Sequence, residues 1–317
     1  MAYYCFIDTE STVLDFKSES KLNTNAPILV FGVTLYKNPS FLSAALNSIA
    51  NQTFKNFSVV MVDDGTNDES SDIACVVAKH DSRFSYHLNV RRTGMIEAWR
   101  TAFRTARSLY PSMQYFAWAS DHDIWHVTWA EKLVSALNSD KEAVLAYSLT
   151  QRIDAQGNAI SHDIRKGIFS TLDCPRLIDR IRAVTRLRRN FGNMVYGMYR
   201  VEALEKSGVF RDVLLPDRLL MQELAFEGSI IQIEEVLWMR RFKKNVTLSS
   251  QKKSLWAQSK PFSLYFPWEL VHIYHVLRAI RRSISKSRMK PCEAVIIFLE
   301  QLRFGFSSLI RRRFGFR

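Results

Sequence analysis

Residues 57–68 read Phe57-Ser58-Val59-Val60-Met61-Val62-Asp63-Asp64-Gly65-Thr66-Asn67-Asp68. The first six are mostly apolar and rich in β-branched side chains, the mark of a short strand buried on both faces. The run stops on two carboxylates and a turn-forming glycine. Upstream, Ile28–Thr34 is a second buried-strand run, and Pro39–Asn51 reads as a helix. That helix has Pro near its first turn and Phe41, Leu42, Ala45, Leu46 and Ile49 at helical spacing. Downstream, residues 68–79 and 94–108 read as helices, and Tyr115–Ala119 as a strand running into Asp121-His122-Asp123. A helix over 126–138 and a strand over Ala143–Leu149 follow. This alternation predicts an α/β fold, three layers with a mainly parallel sheet covered on both faces. Ligands of such sheets sit beyond the carboxyl ends of the strands, where both acidic clusters fall.

The second half is less regular. Arg176, Arg180, Arg182, Arg186, Arg188 and Arg189 crowd a helix or loop, and residues 191–200 form a glycine-punctuated apolar segment. Pro216–Glu227 reads as a helix with Asp217 in its first turn, followed by a short strand over Ser229–Ile233. After residue 250 two amphipathic helices are expected. One carries Leu270, Ile273, Tyr274, Leu277 and Ile284 on one face, the other Val295, Leu299, Leu302, Phe306 and Leu309. Residues 1–25 are polar and aperiodic and read as a loose extension. The expected division is an extension over 1–25, a catalytic-size α/β domain over 26–245 and a basic helical region over 246–317.

With 47% apolar and 12% aromatic residues, the 317-residue chain is not disordered. Its four cysteines, without a Cys-x-x-Cys pair, read as free thiols in a reducing compartment. Residues 251–317 hold 14 Lys/Arg against 3 Asp/Glu, whereas the preceding 250 residues hold 30 against 28. A neutral body argues against a nucleic-acid groove, and a polybasic tail argues for an anionic membrane surface. The N-terminus has no secretory-signal pattern, and no run of about 18 uncharged apolar residues occurs. The expected location is cytoplasmic, peripheral on the inner face of the plasma membrane.

Three constellations carry candidate chemistry. Asp63 and Asp64 offer acceptors to a ribose or a base N–H, or form a turn and helix cap. Asp121 and Asp123, two apart at a strand end, offer oxygen ligands to Mg²⁺ or Mn²⁺ beside a diphosphate, or simply cap a loop. His122 and His126 lie four apart, but no further ligands follow at zinc-like spacing. Asp217 is either a general base or an acid favoured by the helix dipole.

Together, Ile28–Thr34, Tyr36, the Ser48/Gln52-Thr53/Asp63-Asp64-Gly65 frame, Asp121/Asp123, Gly197/Arg200, Asp217 and Trp238-Met-Arg-Arg241 resemble the family 2 glycosyltransferases of GT-A fold. The resemblance covers about residues 26–245. It implies a nucleotide-binding edge at Thr34, Tyr36, Asp63, Asp64 and Arg92. It also implies metal and diphosphate binding at Asp121 and Asp123, and a catalytic base at Asp217. The implied reaction is inverting transfer of one sugar from a nucleotide sugar, a UDP-sugar being the expected donor, to a carbohydrate or lipid-linked acceptor. Three departures stand out: His122 separates the two acids, Glu97-Ala-Trp-Arg100 replaces the usual Ala-Arg-Asn, and Pro216 precedes the base where Glu is common. The processive Gln-x-x-Arg-Trp signature is missing. A nucleotidyltransferase on a similar sheet would need a glycine-rich phosphate loop, which Thr34–Ser40 lacks. A non-catalytic nucleotide-sugar-binding protein stays open at this point.

Overall fold

The computed structural model describes residues 13–16, 26–66, 68–164, 169–187, 191–242, 254–257 and 261–314. Asn67, Arg188, Arg189, Cys5 and most of the 1–25 extension lie outside them. The chain lays down β1 (Val13–Phe16), β2 (Leu29–Leu35), α1 (Pro39–Ala50), β3 (Phe57–Asp63), α2 (Glu69–His80), β4 (Phe84–Asn89), α3 (Met95–Leu109) and β5 (Tyr115–Ser120). Then come β6 (Ile124–Trp125), α4 (Trp129–Ser139), β7 (Ala143–Ile153), β8 (Ala159–Ile164), α5 (Leu177–Arg186) and α6 (Phe191–Met194). The series closes with β9 (Met198–Arg200), α7 (Val201–Ser207), α8 (Pro216–Ala225), β10 (Ser229–Arg241), α9 (Trp268–Ser285) and α10 (Pro291–Phe314).

One sheet runs β1-β4-β3-β2-β5-β9-β7-β10-β6, with β8 on β7. Strands β4, β3, β2 and β5 are parallel, β9 is antiparallel to both its neighbours, and β10 is parallel to β7. The period of two in each strand sorts the core into two layers. Val30, Val60 and Val62 face α3, α5, α8 and the C-terminal helices. Leu29, Phe31, Val33, Val59 and Met61 face α1, α2 and α4. The expected three-layer α/β architecture is thus present.

Several elements differ from expectation. The extension contributes an edge strand, β1, paired antiparallel with β4 from Val13↔Asn89 to Phe16↔Tyr86. Its four residues are too short to show a period. β10 continues past Ile233 to Arg241, because its later part pairs with both β7 and β6.

The C-terminal helices share the main core rather than forming a separate unit. Val276, Ala279, Ile280, Met289, Ala294 and Ile297 are buried with Leu219, Leu220 and Leu224 of α8. Burying each of the Val, Ile, Leu and Met side chains among these contributes roughly 1.5–3 kcal/mol. The buried face of α9 is Glu269, His272, Ile273, Val276, Ala279, Ile280 and Ser283. Of the expected stripe only Ile273 is inside. Leu270, Tyr274, Leu277 and Ile284 are exposed.

Candidate active site

The parallel register sets Thr34 of β2 beside Val62 of β3 and Ser120 of β5, so the residues that follow these strands emerge at one edge. Asp63 ends β3 fully buried. Thr66 donates to its Oδ1 through N–H and Oγ1, both at 2.8 Å, while Ser71 Oγ and Tyr86 Oη donate to Oδ2 at 2.6 and 2.8 Å. Asp64 accepts from Thr93 N–H (2.7 Å), Thr93 Oγ1 (2.6 Å) and Asn89 Nδ2 (3.2 Å) on Oδ1, and from Gly94 N–H (2.9 Å) on Oδ2. The two acids therefore hold the loops of this edge. Gly65 is in the left-handed region (φ +71°), and a Cβ there would lie 2.7 Å from Arg92 N, so only glycine admits this close approach. The result seats the Arg92 guanidinium 4.4 Å over the Tyr36 ring. Asp68 caps α2 by accepting from Ser70 N–H at 2.9 Å, its plain helix-capping role.

Asp121 accepts from Tyr36 N–H at 3.0 Å and from Asn38 Nδ2 at 2.9 and 2.8 Å, which joins the second acidic cluster to the Tyr36 segment. His122 Nδ1–H donates to Asp121 Oδ1 at 2.6 Å, and its Nε2 lies 3.9 Å from Asp123 Oδ1. Asp123 is almost fully buried, and its Oδ1 accepts from Arg241 N–H at 2.7 Å. Among the described residues no group of three or more His, Cys, Asp or Glu surrounds one point. His126 lies against Thr128 Oγ1 at 2.9 Å, not with His122. Two carboxylates at a strand end still fit a hard cation that completes its shell with substrate phosphate and water.

The Ser48/Gln52-Thr53 frame has a mechanical use. Gln52, fully buried, donates to Ser48 O and His126 O at 3.0 and 2.8 Å and accepts from Ala130 N–H at 2.8 Å. Trp125 N–H donates to Ser48 Oγ at 3.2 Å. These bonds fasten the loop after Asp123 to the end of α1.

Asp217 enters from the other half. Leu215 precedes it in the left-handed region (φ +56°), a strained state for a side chain with Cβ, and Pro216 starts α8. A Cβ on Gly192 would sit 3.8 Å from Asp217 Oδ2 and 4.0 Å from Arg240 Nη1, so both groups border this glycine. Arg240 Nη1 also donates to Asn193 Oδ1 at 3.2 Å. Burial raises the Asp217 carboxyl above its ordinary range, while backbone donors and the charges of Arg218 and Arg240 pull it back. Tyr196 links the two sides. Burial pushes its hydroxyl well up, the charges of Asp123 and Asp121 add to this, and Arg240 opposes it.

Three contributions were not read from the sequence. Trp99, from the departing Glu97–Arg100 stretch, donates Nε1–H to Thr34 Oγ1 at 3.1 Å. Its ring stacks on Trp118 at 5.6 Å and meets Tyr196 edge-on at 5.5 Å. Arg218, next to Asp217, is buried among the rings of Phe304 (4.1 Å), Phe191 (4.8 Å) and Trp268 (5.9 Å). It donates to Thr185 O and Leu187 O at 2.9 and 3.2 Å. His272 of α9 donates Nε2–H to Leu214 O at 2.9 Å and so holds the strained turn before Asp217. Its full burial lowers its pKa to about 3, so the ring stays neutral. Among these the Glu97-Ala-Trp-Arg100 departure was the one visible signal. The others need the C-terminal helices in place.

The model of the family described as Glycosyl transferase family 2 matches residues 31–207. An uncharacterized glycosyltransferase of Rickettsia prowazekii (strain Madrid E) is 24% identical over 141 residues, 44% of this chain and 42% of that protein. Another, from Haemophilus influenzae, is 26% identical over 116 residues, 37% of this chain and 34% of that protein. The matched stretch thus spans less than half the length of these curated relatives. Among solved structures, S. aureus TarS 1-349 in complex with UDP-GlcNAc superposes with a TM-score of 0.59 at 16% identity, covering 89% of this chain and 73% of that one. The mannosyltransferase PcManGT from Pyrobaculum calidifontis in complex with GDP-Man and Mn²⁺ gives 0.54 at 13% identity, covering 93% and 89%. At these identities the likeness is one of fold.

Proposed function

The chain belongs to glycosyl transferase family 2, and we propose that it moves one sugar from a nucleotide sugar, a UDP-sugar, to an acceptor hydroxyl with inversion, in cell-surface polysaccharide or glycolipid synthesis. The observation that carries this reading is the pairing of two unlike acidic sites. Asp121 and Asp123 follow a strand end, and Asp217 is a separate carboxylate raised by burial and set against Arg240. A diphosphate leaving group and a proton-accepting base need such a division of roles.

In this reading Thr34, Tyr36 and Arg92 receive the nucleoside, and Asp63 and Asp64 shape that edge through the loops they hold. Asp121 and Asp123 would hold Mn²⁺ or Mg²⁺, which when bound supplies neutralising charge to the leaving diphosphate. Asp217 takes the proton of the acceptor hydroxyl. The acceptor oxygen bonds the anomeric carbon on the face opposite the nucleotide as the carbon–diphosphate bond breaks. A raised carboxyl pKa makes Asp217 a better base as long as the pH keeps it ionised. The acceptor we assign is a carbohydrate or a lipid-linked sugar, met by a peripheral protein at an anionic membrane surface.

Purified full-length chain, incubated with a panel of nucleotide sugars and Mn²⁺, tests this. Release of nucleoside diphosphate with one donor class, abolished by EDTA, is expected. Tight nucleotide-sugar binding with no release under any acceptor would instead favour a binding protein.

A further inference from the structure

Twelve of the nineteen exposed large apolar side chains among the described residues lie on α9, α10 and the turn before them. On α9 the outward side carries Leu270, Tyr274, Leu277 and Ile284, from 38% (Ile284) to 57% (Tyr274) exposed. On α10 it carries Val295, Leu299, Phe306 and Ile310, from 50% (Ile310) to 56% (Val295) exposed. The inner sides hold the more polar contacts: His272 on Leu214, Gln301 donating to Thr185 Oγ1 at 2.7 Å, and Glu300 with Arg182 at 2.9 Å. The helices run antiparallel, since Ser308 Oγ donates to Glu269 Oε1 at 3.1 Å and a Cβ on Gly305 would lie 3.1 Å from Ile273. Phe262, Tyr265 and Phe266, just before α9, extend the exposed aromatic surface.

The charge on this surface is predominantly positive. Arg278 and Arg281 on α9, Lys286 and Lys290 at the joining turn, and Arg303 on α10 are exposed. The tail's acids are engaged elsewhere: Glu269 is buried, Glu300 pairs with Arg182 and Arg186, and Glu293 accepts from Lys290 N–H. A solvated helix ordinarily shows its polar side to water, and contiguous exposed apolar area marks an interaction site. Two apolar stripes edged by cations and aromatics have the composition of helices that lie in a bilayer interface. No helix among the described residues is long and apolar enough to cross a membrane. Pairing with a second copy would press two tails together, each with 14 basic against 3 acidic residues.

We infer that the outward face of α9 and α10 lies on an anionic lipid surface, with Leu277, Tyr274, Leu299 and Phe306 in the headgroup boundary and Arg281 and Arg303 on lipid phosphates. Its purpose, bringing the cleft to a lipid-linked acceptor, rests on the glycosyltransferase reading. The binding itself does not.

Cosedimentation of the full chain with phosphatidylglycerol and phosphatidylcholine vesicles tests the inference. Two exposed-site variants are compared, Leu277→Ser/Leu299→Ser and Arg281→Gln/Arg303→Gln, both checked for wild-type melting. Binding to phosphatidylglycerol alone is expected at low salt. It should weaken about fivefold per charge removed and be lost in the apolar variant, while nucleoside diphosphate release without vesicles is unchanged in both. A wild-type chain left in the supernatant at low salt overturns the docking but leaves the transferase reading. So does a dimer in solution that the apolar variant dissolves. Binding indifferent to the apolar variant overturns the assigned face. Vesicle binding without any donor turnover upholds the docking and sinks the transferase reading.

Discussion

On the edge we assign to the nucleotide, Asp63, Asp64, Asp121 and Asp123 each end or follow a strand of the parallel sheet. Their partners lie mostly in the loops of the same sheet edge: Thr66 and Ser71 for Asp63, Thr93 and Gly94 for Asp64, and Tyr36 and Asn38 for Asp121, while Asp123 reaches across to Arg241 N–H. On the side we assign to the acceptor, the neighbours of Asp217 are held by contacts scattered along the chain: Arg218 on Thr185 O and the Phe304 ring, Arg240 on Asn193, and His272 on Leu214 O. The first side is built by strand–turn–helix units whose ends converge because the sheet is parallel. The second is held by helices that close over α8 from the far end of the chain. A local perturbation should therefore affect one function on the nucleotide side. On the acceptor side it should travel through the helices to the base.

The sharpest break of this contrast is Asp217→Asn, which keeps shape and removes basicity. Turnover should fall by about 10²–10⁴-fold with donor binding unchanged. If Asp217→Asn turns over like wild type while Asp212→Asn is inactive, the base is the wrong carboxylate. Because burial raises the Asp217 pKa, the acid limb of kcat/KM in the wild type should fall above the ordinary carboxylate range of about 4. Next in size is Asp123→Ala, or chelation by EDTA, with an expected loss of roughly 10²–10³-fold in transfer. Full turnover in EDTA would remove the metal from the scheme.

His272 probes the long-range side. His272→Leu removes the donor that holds Leu214 O and should lower kcat by about 10–100-fold with the donor KM unmoved. His272→Gln restores an N–H at similar reach and should recover most of the rate. Equal losses in both variants, tracking their melting temperatures, would make the contact merely structural. The smallest effect concerns pH. The folded His272 titrates at about 3 against an ordinary 6.5, so the unfolded state takes up the proton first. Its stabilising contribution is complete above pH 6.5 and drains away as pH falls toward 3. The melting temperature should decline over that window in the wild type, and the decline should be shallower in His272→Gln.

This contrast also governs what the sequence disclosed. The strands over Ile28–Thr34, Phe57–Val62 and Tyr115–Ala119 were legible because burial on both faces writes a continuous apolar run. The acidic ends of the second and third were legible because Asp breaks such runs. Asp217 stood out as a candidate base only through family resemblance, since an acid in a helix's first turn has an ordinary explanation in the dipole. His272 and Arg218 carried no local signal: their roles arise from packing against Leu214 and Phe304, which lie far along the chain and outside any sequence window. Which face of α9 and α10 is exposed was not legible, because an apolar stripe shows which residues group together, not whether protein covers them. The strand β1 was missed since four residues give too few alternations to register a period.

Titration of UDP, with Mn²⁺, into wild-type, Asp123→Ala and Asp217→Asn chains measures the division directly. We expect binding in the wild type, its loss or severe weakening in Asp123→Ala, and undiminished affinity in Asp217→Asn. Affinity retained in Asp123→Ala but lost in Asp217→Asn, or a wild-type chain that binds no UDP, would contradict a nucleotide side and an acceptor side built and working apart.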